Sequence, residues 1–220
     1  MKTIKNTSMT QVETIPLPKS LDDLALQPIW VAWRNEQGKK LPLDPNSRGP
    51  AKADDPRTWG NRDAAERLAT ARNGGLGVQL TNLASRPDLR LCGVDLDGCL
   101  DTFGNVSPWA SAVVERFDSY TEVSPSGTGL HILFFASQAD FSDLQSARKV
   151  TPKGGKEFSL GNHTEIALFL GGRYFTVTRE AFDPTGLLGA APLRQVAVTD
   201  LDWLLTDHGP AFMAQKGQSD

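Results

Sequence analysis

Hydrophobic and polar residues alternate most strongly in the middle of this chain. From Leu89 to Asp97 the run is β-rich, and a strand places Gly93, Asp95 and Asp97 on one side with Cys92, Val94 and Leu96 on the other. Similar runs predict strands over Ile29–Trp33, Leu76–Leu80, Tyr120–Val123, Gly129–Phe135, Thr164–Leu170 and Arg173–Thr178. The last two are joined by Gly171-Gly172, a pair suited to a hairpin. Helix signals are fewer. Ser20 reads as the cap of a short helix ending near Gln27, and Asn61 as the cap of one over Asp63–Ala71 that Asn73-Gly74-Gly75 ends. Ser107-Pro108 opens a third helix running to about Phe117, and Val198–Leu205 forms a short fourth.

The stretches between are loops in this reading. Residues 35–60 hold Pro, Gly, Asp and Lys, and Phe141–Leu160 is a basic excursion with Arg148, Lys149, Lys153 and Lys156. Residues 1–18 are polar and unpatterned, which predicts a flexible arm, and residues 207–220 a flexible tail. Residues 19–206 are left as the folded domain. Strands and helices mixed with hairpin-like joins predict an α+β fold.

Composition narrows the function classes. The 220 residues are 39% hydrophobic and 22% charged, ordinary for a soluble globular protein. No apolar run is long enough to span a bilayer, and no signal peptide is visible, so the expected location is the cytoplasm. The cysteines, Cys92 and Cys99, have no zinc spacing, so no zinc is expected and both read as small apolar residues. A formal net charge of −3 argues against coating nucleic acid by bulk electrostatics, yet leaves room for a local basic groove. Arg34, Lys39, Lys40, Arg48, Lys52 and Arg57, with acids among them, serve either as a solvated loop or as a nucleic-acid contact.

Asp95 and Asp97 carry the first chemical signal, and Gly93 beside them leaves room for something to approach. Two like charges on one side of a strand end repel each other, and a divalent cation relieves that. Oxygen ligands suit Mg²⁺; the plainer alternative is a solvated strand end. Next, Ser124-Pro125-Ser126-Gly127-Thr128-Gly129 lies between two strands, with His131 just inside the second. Its N–H groups and hydroxyls could cradle phosphates, or the segment is simply a turn beside a structural histidine. Glu165 opens an apolar strand, which suggests pairing or metal unless it is a solvated start. Arg173 offers a fork suited to phosphate, or a surface charge.

The order of these pieces resembles the bifunctional primase-polymerase (prim-pol) N-terminal domain of phage and plasmid replication proteins, in the archaeo-eukaryotic primase superfamily. Tyr120-Thr121-Glu122-Val123-Ser124-Pro125-Ser126-Gly127-Thr128-Gly129-Leu130-His131 is the most specific stretch. Trp30–Trp33, Lys40-Leu41-Pro42, Asp54–Trp59, Gly75-Leu76-Gly77 and Gly172–Thr178 also match, so the likeness covers about Ile29 to Thr178. It implies a small N-terminal α/β module beside an RRM-like module, with the site between them, and makes 19–206 the catalytic domain. It implies template-directed transfer of NTP or dNTP onto DNA. Asp95, Asp97 and Glu165 would hold two Mg²⁺ or Mn²⁺ ions, with His131 as a catalytic, nucleotide-contacting residue. Ser124, Ser126, Gly127, Gly129 and Arg173 would also bind nucleotide. Lys39, Lys40, Lys52, Arg148 and Lys149 would meet the primer or template.

One departure stands out, because the superfamily pattern is Ser-x-His and Gly129 takes the serine position. No P-loop sequence is present, so a helicase or helical priming domain would have to come from a longer chain or a partner. The rival readings are a metal-dependent nuclease and a non-catalytic nucleic-acid-binding replication module.

Overall fold

The computed structural model describes residues 15–183 and 191–214. Two antiparallel sheets form its frame. The first is built from β1 (Trp30–Glu36), β2 (Lys39–Leu43), β3 (Gly75–Leu80) and β10 (Arg173–Val177), in the order β10-β3-β1-β2. The second contains β4 (Asn82–Leu83), β5 (Arg86–Asp97), β6 (Thr121–Val123), β7 (Leu130–Ser137), β8 (Gly155–Gly161) and β9 (Thr164–Phe169). Its order is β6-β7-β5-β9-β8, with β4 paired to the start of β5. The α+β expectation agrees with this architecture.

Five helices complete the described chain: α1 (Arg62–Ala71), α2 (Pro108–Phe117), α3 (Gln138–Ser146), α4 (Val198–Trp203) and α5 (Gly209–Ala214). Asn61 caps α1 as expected, its Oδ1 accepting from the Ala64 N–H at 2.9 Å. Ser107 precedes α2 but spends its hydroxyl on the Cys99 carbonyl instead.

The alternation on β5 divides the interior into two cores. Cys92, Val94 and Leu96 pack with Leu130, Ile132, Phe134, Ile166 and Leu168, beneath Val113 and Phe117 of α2, Leu144 of α3 and Leu201 of α4. On the other face Leu91, Leu133, Phe135, Ala167 and Phe169 meet Val78, Leu80, Phe175 and Val177 of the first sheet. The acidic pair lies on that second face, so the first sheet walls the site.

Several expectations need correction. Residues 21–27 form consecutive turns instead of a helix, although Ser20 Oγ does accept from the Asp23 N–H. The segment 35–60 contains β2, an edge strand hidden by its lysines and Pro42, plus a short 3-10 turn at Pro56–Thr58. The excursion 141–160 is mostly α3 and β8. The glycine turn at 171–172 does not make a hairpin: β10 leaves the second sheet and pairs with β3, Phe175 opposite Val78. The last helix continues from Trp203 through a π-helical turn (Leu204–His208) into α5, where Phe212 is buried, so the expected tail is helical up to Ala214. Within the expected arm, Leu17 packs against the second core. Residues 1–14 and 215–220 lie outside the described residues.

Candidate active site

Cross-strand register assembles the site from four strands of the second sheet. Asp95 sits opposite His131 on one side and Ala167 on the other, Asp97 sits opposite Glu165, and His131 sits opposite Glu122. Directly opposed residues in an antiparallel pair share a face. Asp95, Asp97, His131 and Glu165, scattered over 71 positions of sequence, therefore form one patch.

Asp95 is mostly buried, and its Oδ1 has no hydrogen-bond partner. Burial raises its pKa, His131 opposes that shift, Asp97 adds to it, and Arg173 and Lys40 also oppose it. Glu165 is likewise pushed up, first by burial and then by Glu157, Asp97 and Asp95. His131 Nδ1 lies 3.1 Å from the Thr176 carbonyl, which can only accept, so Nδ1 carries a proton. In the neutral ring Nε2 is then an acceptor, facing Asp95 Oδ1 across 3.6 Å. A proton on Nε2, a substrate donor or a cation would satisfy both atoms.

These features test the fit of a metal. The candidate ligands are all carboxylates, a hard set suited to Mg²⁺ or Mn²⁺. One has an orphaned buried oxygen, and two resist ionisation, first through burial and then through neighbouring acids. Among the described residues, no three His, Cys, Asp or Glu side chains are grouped so that they could hold a metal ion by themselves. A metal here would need further ligands from outside the chain.

A cavity of about 340 Å³ opens on Asp95 and His131, and Gly38, Lys40, Arg173, Tyr174 and Thr176 help to line it. The Tyr174 hydroxyl donates to the Lys40 carbonyl and ties the β1–β2 hairpin to β10 there. A second cavity, about 460 Å³, is lined by Lys153, Lys156, Glu157, Phe169 and Arg173. Arg173 borders both, its guanidinium 4.3 Å from the Phe169 ring centre and 3.7 Å from Glu157.

The serine-glycine loop stands beside Asp97. Ser124 and Ser126 hydroxyls are 2.9 Å apart, Ser126 and Thr128 3.1 Å, and Gly127 adopts φ +74° in the turn. A Cβ on Gly129 would lie 2.8 Å from the Leu96 carbonyl, 3.1 Å from Ser124 Oγ and 3.3 Å from Asp97 Oδ1. That crowding accounts for glycine where the superfamily has serine. Gly93 was expected to leave an opening beside the acids; instead the Phe175 ring fills it, 2.5 Å from where a Cβ would sit.

The expected nucleic-acid contacts do not gather. Lys40 lines the Asp95 cavity. Lys39 lies on the edge strand β2, and exposed Lys52 lies in the following loop. Arg148 and Lys149 follow α3 on the helix-covered side, where Lys149 pairs with Asp202.

Glu122 was missed as a site residue. It is fully buried, and its carboxylate accepts from the Tyr120 hydroxyl and from the N–H groups of Thr178 and Arg179, each at 3.0 Å. It also lies 3.8 Å from His131 Nδ1. An acid in the middle of a short strand was its sequence signal, but the backbone it holds arrives more than fifty residues later.

The chain is 35% identical over 171 residues, 77% of its length, to a curated primase-polymerase. That relative is the DNA primase-polymerase of Nitratiruptor phage NrS-1, and the chain spans 21% of its length. No family model matches the chain.

Proposed function

We propose that this chain is a nucleotidyl-transfer core that adds NTP or dNTP to a DNA primer or first nucleotide, in phage or plasmid replication. The observation that carries the reading is the single acid-histidine patch formed by Asp95, Asp97, Glu165 and His131, in a chain related to a DNA primase-polymerase. The second sheet fits the RRM-like module of the family. Its central order β6-β7-β5-β9, with α2 between β5 and β6 and α3 after β7, is the split βαβ pattern. The first sheet then corresponds to the smaller module, with β10 returning to complete it.

Asp95, Asp97 and Glu165 would hold Mg²⁺ or Mn²⁺, which when bound would acidify a 3′-hydroxyl and neutralise triphosphate charge. The other groups position the substrate. His131, with Nδ1 committed to Thr176, presents Nε2 to the cavity. Arg173 and Lys40 offer cationic partners for phosphate oxygens on the same cavity wall. The loop from Ser124 to Gly129 brings Gly129 beside Asp97, with the Ser124 hydroxyl next to it. A helicase or a helical priming unit, on a longer chain or a separate protein, is the expected partner.

Primer extension tests this reading. Purified protein, a labelled primer-template, nucleotides and Mg²⁺ or Mn²⁺ should give extension that Asp95→Ala abolishes while the variant stays folded. Undiminished extension by Asp95→Ala would contradict the assignment. Primer hydrolysis without nucleotides would point to a nuclease instead.

A further inference from the structure

Most arginines of this chain pair with an acid, among them Arg57 with Asp55, Arg116 with Asp200 and Arg194 with Asp118. Among the described residues, Arg48, Arg67, Arg72 and Arg148 have neither an ion pair nor a side-chain hydrogen bond. The first three line one cleft of about 430 Å³ whose lining contains no acid. Gathering three like charges is unfavourable unless an anion joins them. The chain as a whole is acidic, with a net charge of −3, so this concentration is local.

The cleft is built from two elements. Arg67 and Arg72 come from the outer side of α1 and its C-cap, about 7 Å apart along the axis at the helical rise per residue. Arg48 comes from the loop after β2, which Asp44 closes. The buried Asp44 carboxylate accepts from the Asn46 N–H and the Ser47 hydroxyl, its carbonyl accepts from the Arg48 N–H, and its own N–H donates to the Gly49 carbonyl. Arg48 sits at φ +64°, a left-handed conformation that glycine or asparagine adopts more easily. An arginine kept at such a position, on a braced loop beside two other unpaired arginines, points to a use for its side chain.

We infer that Arg48, Arg67 and Arg72 form a binding site for the backbone phosphates of DNA, apart from the catalytic acids. Guanidinium forks match phosphate oxygens in pairs. Three guanidinium groups brought together from two elements match successive phosphates of a strand better than a lone anion. The site shares no lining residue with the Asp95 cavity. It lies where α1 packs on Ala32 and Leu43, on the face of the first sheet that also carries Phe175.

This inference rests on the nucleotidyl-transfer reading for its choice of DNA, but its test needs no catalysis. Fluorescence anisotropy of a labelled primer-template, without nucleotides or divalent metal, is measured over a salt series for the wild type and for Arg48→Ala/Arg67→Ala/Arg72→Ala. The triple variant should melt like the wild type and bind at least about tenfold more weakly. The slope of log affinity against log salt should shrink by about 2 to 3, since each lost phosphate contact removes about 0.9. Triple lysine replacement should restore most of the slope. A folded triple variant with unchanged affinity and slope overturns the inference, even if the wild type polymerises. DNA binding through this cleft by an inactive wild type leaves it standing and counts only against the catalytic reading.

Discussion

The two faces of β5 differ as sharply as any two regions of this molecule. Toward the helices, Cys92, Val94 and Leu96 are fully buried in an apolar core. Toward the first sheet, Gly93 lies under Phe175, Asp95 faces a cavity, and Asp95 and Asp97 face each other's charge. One period-2 pattern thus serves two ends. The helix face holds the strand in place, and the acid face is left electrostatically unsatisfied, which is what a site for cationic or phosphate-bearing ligands requires.

Four changes break or sharpen this contrast. The largest effect belongs to the acid face: Asp97→Asn or Glu165→Gln should lower nucleotide incorporation by about 10³-fold or more, read by single-turnover extension, because charge stabilisation worth several kcal/mol is lost. Melting should barely move. On the helix face the pattern inverts. Leu96→Ala should cost about 2–5 kcal/mol in urea unfolding, while activity per folded molecule is kept.

Glu122→Ala lies between these extremes, because it removes the shared acceptor of three donors. It should cost about 3 kcal/mol in thermal unfolding. It should also raise the nucleotide KM more than it lowers kcat, because the strand end that orients His131 loses its anchor. An unchanged melting curve would remove Glu122 from this role.

The smallest effect is a pH dependence. Asp95 and Glu165 have raised pKa values in the folded protein, so the folded state binds more protons than the unfolded one across that range. Their contribution to metal-free stability falls as pH rises from the unfolded carboxylate value through the folded one, and is regained on acidification. Asp95→Asn should accordingly melt above the wild type at neutral pH, with the gap closing as pH drops. Melting curves from pH 7 down to pH 4 check the sign.

The acid pair was legible in the sequence because strand alternation depends only on neighbours. Asn61, Pro108 and Gly127 were legible for the same local reason. What escaped depends on distant partners. β2 and β8 are edge strands rich in lysine and glycine, whose identity comes from pairing with β1 and β9. The departure of β10 from the second sheet could not be read from Gly171-Gly172, which looks like a hairpin turn until β3 is known to accept it. Glu122 and the arginine cleft belong to this class: their meaning arises from Thr178 and Arg179 in one case, and from a loop closing against α1 in the other. Gly93 shows the reverse error. Its lack of a side chain was plain, but what fills the space comes from another sheet.

Mn²⁺ titration followed by electron paramagnetic resonance tests the central claim most directly, with the wild type and Asp95→Asn/Asp97→Asn compared at neutral pH. Saturable loss of the free-ion signal in the wild type, strengthened by added nucleotide and abolished in the double variant, is the predicted result. Equal Mn²⁺ uptake by both proteins would contradict the assignment of this face as the metal site.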